Sequence, residues 1–198
     1  MKKAAILAAA LIIASCSSAP TAKISGTIDN LKDTCIIVIN GHSQILDTVK
    51  VDSDGAFSYK LEFTEEVPEF CHFMSGNSCL ASLVLVPGDK VSVKVAGGDY
   101  TVEGSEESSI MKEIYDESIR TEKEMIANPE NAGKLYVQYN RFARMHIINN
   151  PKSISSAYLA LQRFSTGLPV FAEASDAIIF KQCYDSLKIV YPHSGYTK

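Results

Sequence analysis

The amino-acid sequence predicts an α+β protein: an N-terminal antiparallel β-sandwich or partly open barrel of about eight strands, then a region of four α-helices. Apolar and polar residues alternate over residues 22–103, and beyond "EGSEESS" the apolar residues recur at helical spacing instead. Turn signals supply the breaks. "DNLKD", "NGHS", "DSDG", "EEVPE", "SGNS", "VPGD" and "GGD" divide the first part, and Asn128-Pro129 and Asn150-Pro151 divide the second. Asp, Asn and Gly favour turns, and a residue before proline is pushed away from the helical conformation.

Taken in order, "KISGTID" sets Ile24, Gly26 and Ile28 on one strand face. "TCIIVI" places Cys35 with Ile37 and Ile39, so Cys35 reads as a small buried apolar residue. "FSYKLEF" alternates Phe57, Tyr59, Leu61 and Phe63 with polar neighbours, and "VSVKV" alternates Val91, Val93 and Val95. "CLASLVLV" is apolar almost throughout, as a central strand covered on both faces would be. "DSDG" has the look of a calcium loop, but the twelfth position counted from Asp52 is Phe63, which offers no oxygen. A hairpin turn with Gly55 at positive φ is expected there. "VAGGDY" is also a hairpin turn, since no helix follows it to present amides to a phosphate.

Ser105 is expected to cap the first helix, with Glu106 and Glu107 at its positive end. Ile110, Ile114, Glu117/Ser118, Thr121 and Met125 give that helix a thin apolar stripe, which predicts a well-exposed element. Leu135, Tyr139, Phe142 and His146 share a face of the second helix. "SSAYLALQRF" is a short third helix. The fourth opens at Ser175, closes before Pro192, and buries Cys183 one turn from Ile179 and Leu187.

Ahead of the strands, Lys2 and Lys3 precede an unbroken apolar run over residues 4–14, and Ile13-Ala14-Ser15 leads into Cys16. This is the layout of a secretory signal, and the run is shorter than the ~20 residues of a membrane-spanning helix. "IASC" resembles the bacterial lipobox. The resemblance implies cleavage before Cys16 and acylation of Cys16, leaving residues 16–21 as a tether between membrane and strands. A plain secretory signal with a cysteine nearby is the alternative. Ser17, in place of an acidic residue, resembles the outer-membrane sorting pattern and implies a lipid-anchored envelope protein on the periplasmic side.

The chain carries a net charge of −4, and loss of Lys2 and Lys3 with residues 1–15 takes it to −6. No basic run interrupts this balance, which argues against nucleic acid as a partner. Cys71 and Cys79 flank "SGNS" and are the candidate disulfide, two free thiols being the alternative. The cysteine spacings match neither a C-x-x-C redox pair nor a zinc site. His42, His72, His146 and His193 include no helical metal pair, and Cys71 and His72, adjacent on a strand, point to opposite faces. Glu113, Glu117 and Glu124 read as a solvated helix face. Tyr136, Tyr139, Phe142, Tyr158 and Phe164 read as packing, or as a partner surface where exposed. No hydrolase, P-loop or dinucleotide motif occurs, so the sequence nominates no catalytic, cofactor-binding or metal-binding residue.

The order of these parts is itself informative. A lipobox is followed by "ISGTIDNLKD", "ILDTVKVDSDGAFSYKLEF", "LVLVPGDKVSVKV" and "YTVEGS", and "VYPHSGYTK" lies near the end. Over residues 24–198 this resembles the N-terminal domain of unknown function 4369 of Bacteroidetes envelope lipoproteins, which often precedes a thioredoxin-like domain of the thiol–disulfide oxidoreductase or peroxiredoxin type. The resemblance implies a β domain over residues 22–104 and a helical spacer over residues 105–198. The Trp-Cys-x-x-Cys motif of the thioredoxin-like domain has no counterpart here, so its redox residues cannot be carried over. The sequence is expected to be either a stand-alone copy or the N-terminal piece of a longer protein. The expected function is a lipid-anchored, non-catalytic binding or positioning module, with a thioredoxin-like or other envelope protein as partner. One alternative is the N-terminal part of a membrane-tethered thiol–disulfide oxidoreductase. Another is a ligand-binding lipoprotein holding a nutrient or glycan between its halves.

Overall fold

The structure, a computed structural model, describes residues 19–192 and 194; Cys16, the expected signal segment and His193 lie outside the described residues. The elements are β1 (Thr21–Ile28), β2 (Cys35–Asn40), β3 (Ile45–Lys50), β4 (Ala56–Glu62), β5 (Glu69–Ser75), β6 (Ser78–Leu85), β7 (Lys90–Ala96) and β8 (Asp99–Glu103). The helices α1 (Glu106–Ala127), α2 (Ala132–Asn149), α3 (Ile154–Leu161) and α4 (Asp176–Val190) follow, with a 3-10 turn, Pro129–Asn131, before α2. The α+β class is as expected, with eight strands in two sheets that do not close into a barrel.

One sheet has the order β4-β1-β7-β8 and the other β3-β2-β5-β6. Their inner faces meet in a core that includes Ile24, Phe57, Tyr59, Val91 and Val93 from the first sheet and Ile36, Val38, Phe73 and Leu83 from the second. Gly26 sits in that layer because a Cβ would lie 2.4 Å from the Val93 carbonyl oxygen and 2.7 Å from the Phe57 ring. At the "DSDG" turn Gly55 has φ +83°, as expected, and a Cβ there would meet the Ile28 carbonyl oxygen at 2.3 Å.

The strands are not all antiparallel: β1 and β7 run parallel. The chain leaves the first sheet for β2 and β3, returns for β4, leaves again for β5 and β6, and re-enters for β7 from the end where β1 began. Gly88 N–H donates to Thr21 O (2.9 Å) and Lys23 N–H to Asp89 O (2.9 Å), fixing that common start.

β6, expected to be central, is an edge strand that is nevertheless covered on both faces. Leu83 and Leu85 enter the core between the sheets, and Val84 enters a second core among the helices. Helix α1 closes this edge. Ser108 Oγ donates to Val84 O (2.7 Å) and accepts from Val84 N–H (3.2 Å), while Tyr100 Oη donates to Ser82 O (2.7 Å). Backbone groups that a free edge would leave unpaired are thereby satisfied.

Nor is α1 the loosely attached helix its thin stripe predicts. Ser108, Met111, Ile114, Ser118 and Thr121 are buried, and the small polar side chains let the helix lie close against the strands. Ser105 caps it as expected, its side chain accepting from Ser108 N–H. Lys112 reaches back to Asp99 (3.0 Å) and lies over the Tyr100 ring (5.0 Å), pinning α1 to β8.

The second core joins Phe70 and Val84, on the outer face of the β3-β2-β5-β6 sheet, to Met111, Ile114, Tyr139, Ala143, Ile147, Ile154, Leu159 and Leu187. Ile114, Ile147, Leu159 and Leu187 are almost wholly buried, and each stabilises the fold by about 1.5–3 kcal/mol relative to exposure. On α2 the buried line is Tyr139, Ala143 and Ile147, with Leu135, Phe142 and His146 only half-buried beside it. Small Ala143 admits close approach, so the contact line runs through it. Arg144 pairs with the buried Asp176 carboxylate, which also accepts from Glu173 N–H (2.8 Å), and so ties α4 to α2.

The described cysteines are free thiols, and the candidate Cys71–Cys79 bridge is absent. Cys71 lies opposite Leu83 and is fully buried between the sheets, whereas Cys79 lies opposite Met74 and is exposed. Three residues separate these positions along the strand, about 10 Å. A disulfide spans Cα atoms no more than ~7 Å apart. Cys35 is also corrected: Ile36 and Val38 take the core, leaving Cys35, Ile37 and Ile39 half-buried on the outer face. Cys183 is buried in the helical core as expected.

A candidate binding cleft between sheet and helices

The outer face of β5 and β6 is only partly roofed. α1 crosses it at Met111 and Tyr115, α3 crosses at Ala157, Tyr158 and Leu161, and the gap between them is a cleft of about 540 Å³. The strand period determines which side chains form its floor. Cys71 and Phe73 point into the core, so Phe70 and His72 point out. Across the ladder His72 pairs with Ser82, and His72 Nδ1 shares a 2.9 Å hydrogen bond with Ser82 Oγ. The Cys79 thiol lies 3.4 Å from the same hydroxyl. Ser82 thus stands between thiol and imidazole.

The walls are apolar and aromatic: Phe70 and Tyr158 rings 6.1 Å apart, Met111, Tyr115, and Leu161, which is 82% exposed at the rim. Gln162 closes the inner end. It accepts from Tyr139 Oη (2.6 Å) and donates to Ser118 Oγ (3.1 Å), so its amide is held rather than free to reorient. Arg163 stands at the opposite rim, donating to Gly167 O (3.0 Å).

Apart from the Arg163 guanidinium at the rim, the floor and walls of the cleft are uncharged. Burial holds the His72 imidazole below its ordinary value, so it is uncharged at neutral pH. Burial raises the Tyr115 and Tyr158 phenols, keeping both protonated donors. A space of this size, apolar with a few fixed polar groups, suits a small organic ligand or an apolar peptide side chain.

Burial pushes the Cys71 thiol far above its usual range and the Cys183 thiol up to about 11, which disfavours thiolate at either. Among the described residues no group of three or more His, Cys, Asp or Glu is arranged to hold a metal ion. None of the described helices is long and apolar enough to cross a membrane.

The sequence-nominated residues fall in different places. Cys16 is outside the described residues. Cys71 is in the inter-sheet core, and Cys79 is at the cleft mouth. Of the five nominated aromatics, Tyr139 and Phe164 are buried, Tyr136 and Phe142 are half-buried, and Tyr158 lines the cleft. Cys71 and His72 do point to opposite faces. The His72–Ser82 pair was not legible, because it depends on the β5–β6 register across a bulge between Phe73 and Met74. The turn "SGNS" indicated the hairpin but not that shift. Comparison with protein-family models, curated proteins and solved structures finds no match to this chain.

Proposed function

We propose that the protein is a lipid-anchored cell-envelope module that binds rather than catalyses, with the sheet–helix cleft as its binding site. The cleft supports this reading most directly: about 540 Å³, bounded by Phe70, Met111, Tyr158 and Leu161, and offering His72, Ser82 and Tyr115 as uncharged hydrogen-bonding groups. Such a lining favours a neutral apolar or aromatic nutrient over a glycan, whose hydroxyls need many more polar partners. The lipobox-like "IASC" supports the address, with Cys16 as the acylated residue.

The test is binding of the apolar fluorophore 1-anilinonaphthalene-8-sulfonate to the native chain, followed by competition with small aromatic compounds. Saturable binding at one site is expected, lost when Ala157→Trp fills the cleft and retained when the exposed Ile126 is changed to Trp. Equal binding by both variants would remove the cleft from the account.

A second reading rests on another observation. Pro20 O accepts from Phe63 N–H (2.8 Å), and Phe63 and Ser194 line one hollow of about 420 Å³ at the end of the sandwich. The two termini of the described chain meet there, which suits a spacer holding a thioredoxin-like partner domain close to its anchor.

A further inference from the structure

Helix α2 turns a second face outward. Opposite its buried Tyr139, Ala143 and Ile147 stand Val137, Arg141, Met145 and Ile148, spaced as one helix face. Val137 is 64%, Met145 49% and Ile148 43% exposed. Lys134 extends the line at the start of the helix, and Lys152 stands just beyond its end in the turn after Asn150, both exposed.

The charge on this face is one-sided. The α2 segment "AGKLYVQYNRFARMHIIN" contains no Asp or Glu, in a chain whose net charge is −4. Arg144, on the inner side, is occupied by Asp176 and lies 3.6 Å from Glu173. Among the described residues Lys134, Arg141 and Lys152 enter no ion pair, although Glu124 shares a shallow hollow with Lys134. Exposed apolar side chains interleaved with unpaired cations distinguish a helix lying in a membrane interface from an ordinary solvated one.

The location is consistent with such a surface. Gly88 N–H holds Thr21 O at the start of β1, and the end of β6 is held by Ser108 of α1. Glu107, beside Ser108, accepts from Ser153 Oγ (2.7 Å) just beyond α2. The entry of the N-terminal strand and the C-terminal end of α2 are therefore at the same end of the molecule.

We propose that this face of α2 docks on an anionic lipid surface, with Val137, Met145 and Ile148 entering the headgroup layer and Lys134, Arg141 and Lys152 meeting lipid phosphates. A second copy of the chain does not suit it, because two cation-only faces repel. The docking does not require a lipid on Cys16. It would orient the module on the membrane where a single flexible tether would not.

The full chain carrying the photo-crosslinking residue benzoylphenylalanine at position 145, or at position 53 in the remote "DSDG" turn, is irradiated with vesicles of phosphatidylcholine alone or mixed with phosphatidylglycerol. Lipid adducts are expected at 145 in the anionic vesicles, well above those at 53, and reduced about fivefold by Arg141→Glu. They should also weaken with added salt. Equal adducts at 145 and 53, undiminished adducts in the neutral vesicles, or adducts to a second protein chain in place of lipid would each overturn the assignment. Because these positions are exposed, a change in thermal melting would reveal any variant that fails to fold.

Discussion

At the scale of single residues, burial has turned two histidines into pH-sensitive stability elements. Burial holds His72 and His146 below their ordinary 6.5, with Glu113 partly offsetting this at His146. In the unfolded chain both protonate near 6.5, whereas in the folded chain both resist. Their contribution is therefore complete above about 6.5 and is lost as pH falls below it toward the lowered folded values. Glu69 and Glu107 are raised by burial and act with the opposite sign, gaining stability as they protonate above their ordinary 4.5. The urea midpoint is expected to be lower at pH 5.5 than at pH 7.5. That difference should shrink in a His72→Gln, His146→Gln double variant, and an unchanged difference would assign the pH dependence to other groups.

At the scale of elements, the junction of β6 and α1 carries the most consequence per atom. The Ser108 hydroxyl satisfies both the N–H and the C=O of Val84, and Ser105 adds a longer contact to the same carbonyl (3.4 Å). Ser108→Ala leaves a buried donor and weakens a buried acceptor, with a cost of about 1–3 kcal/mol. Ser109→Ala serves as the control, since Ser109 Oγ only donates back to Ser105 O within the helix. Equilibrium urea denaturation should separate the two, with Ser108→Ala clearly the more damaging. Equal losses would mean that the edge of β6 does not depend on this hydroxyl. The same junction explains how an apolar edge strand avoids pairing with other chains.

At the scale of the molecule, the outer face of one sheet is the floor of the helical core, since Phe70 and Val84 belong to it. Strand β8 ends at Glu103 and α1 begins at Glu106, and the link between them is a buried seam: Ser105 is only 5% exposed. A single cooperative transition is expected, with far-ultraviolet circular dichroism and tyrosine absorbance giving coincident curves. Limited proteolysis should open the chain first at Pro129–Asn131, whose residues are exposed, and not at "EGSEESS". Two separated transitions, or first cleavage at residues 104–108, would show two independently folding units instead.

Sequence alone determined the strand and helix periods, the turns at Gly55 and "GGD", the Ser105 cap and the burial of Cys183, because each follows from local chemistry or from a repeat within one element. Only the tertiary structure decided the rest. It made β6 an edge, paired β1 with β7 in parallel, sent Cys71 and Cys79 to different surroundings, and joined His72 to Ser82 at the floor of a cleft. These features depend on register and on which elements lie against each other. A shift of one residue in a ladder reverses every side chain, and hydrophobic pattern constrains that register only where a face is already known to be covered. The thin stripe on α1 shows the same limit. Ser108 and Ser118 put hydroxyls on the buried side of the helix, and only the tertiary structure supplies their partners, the Val84 backbone and Gln162.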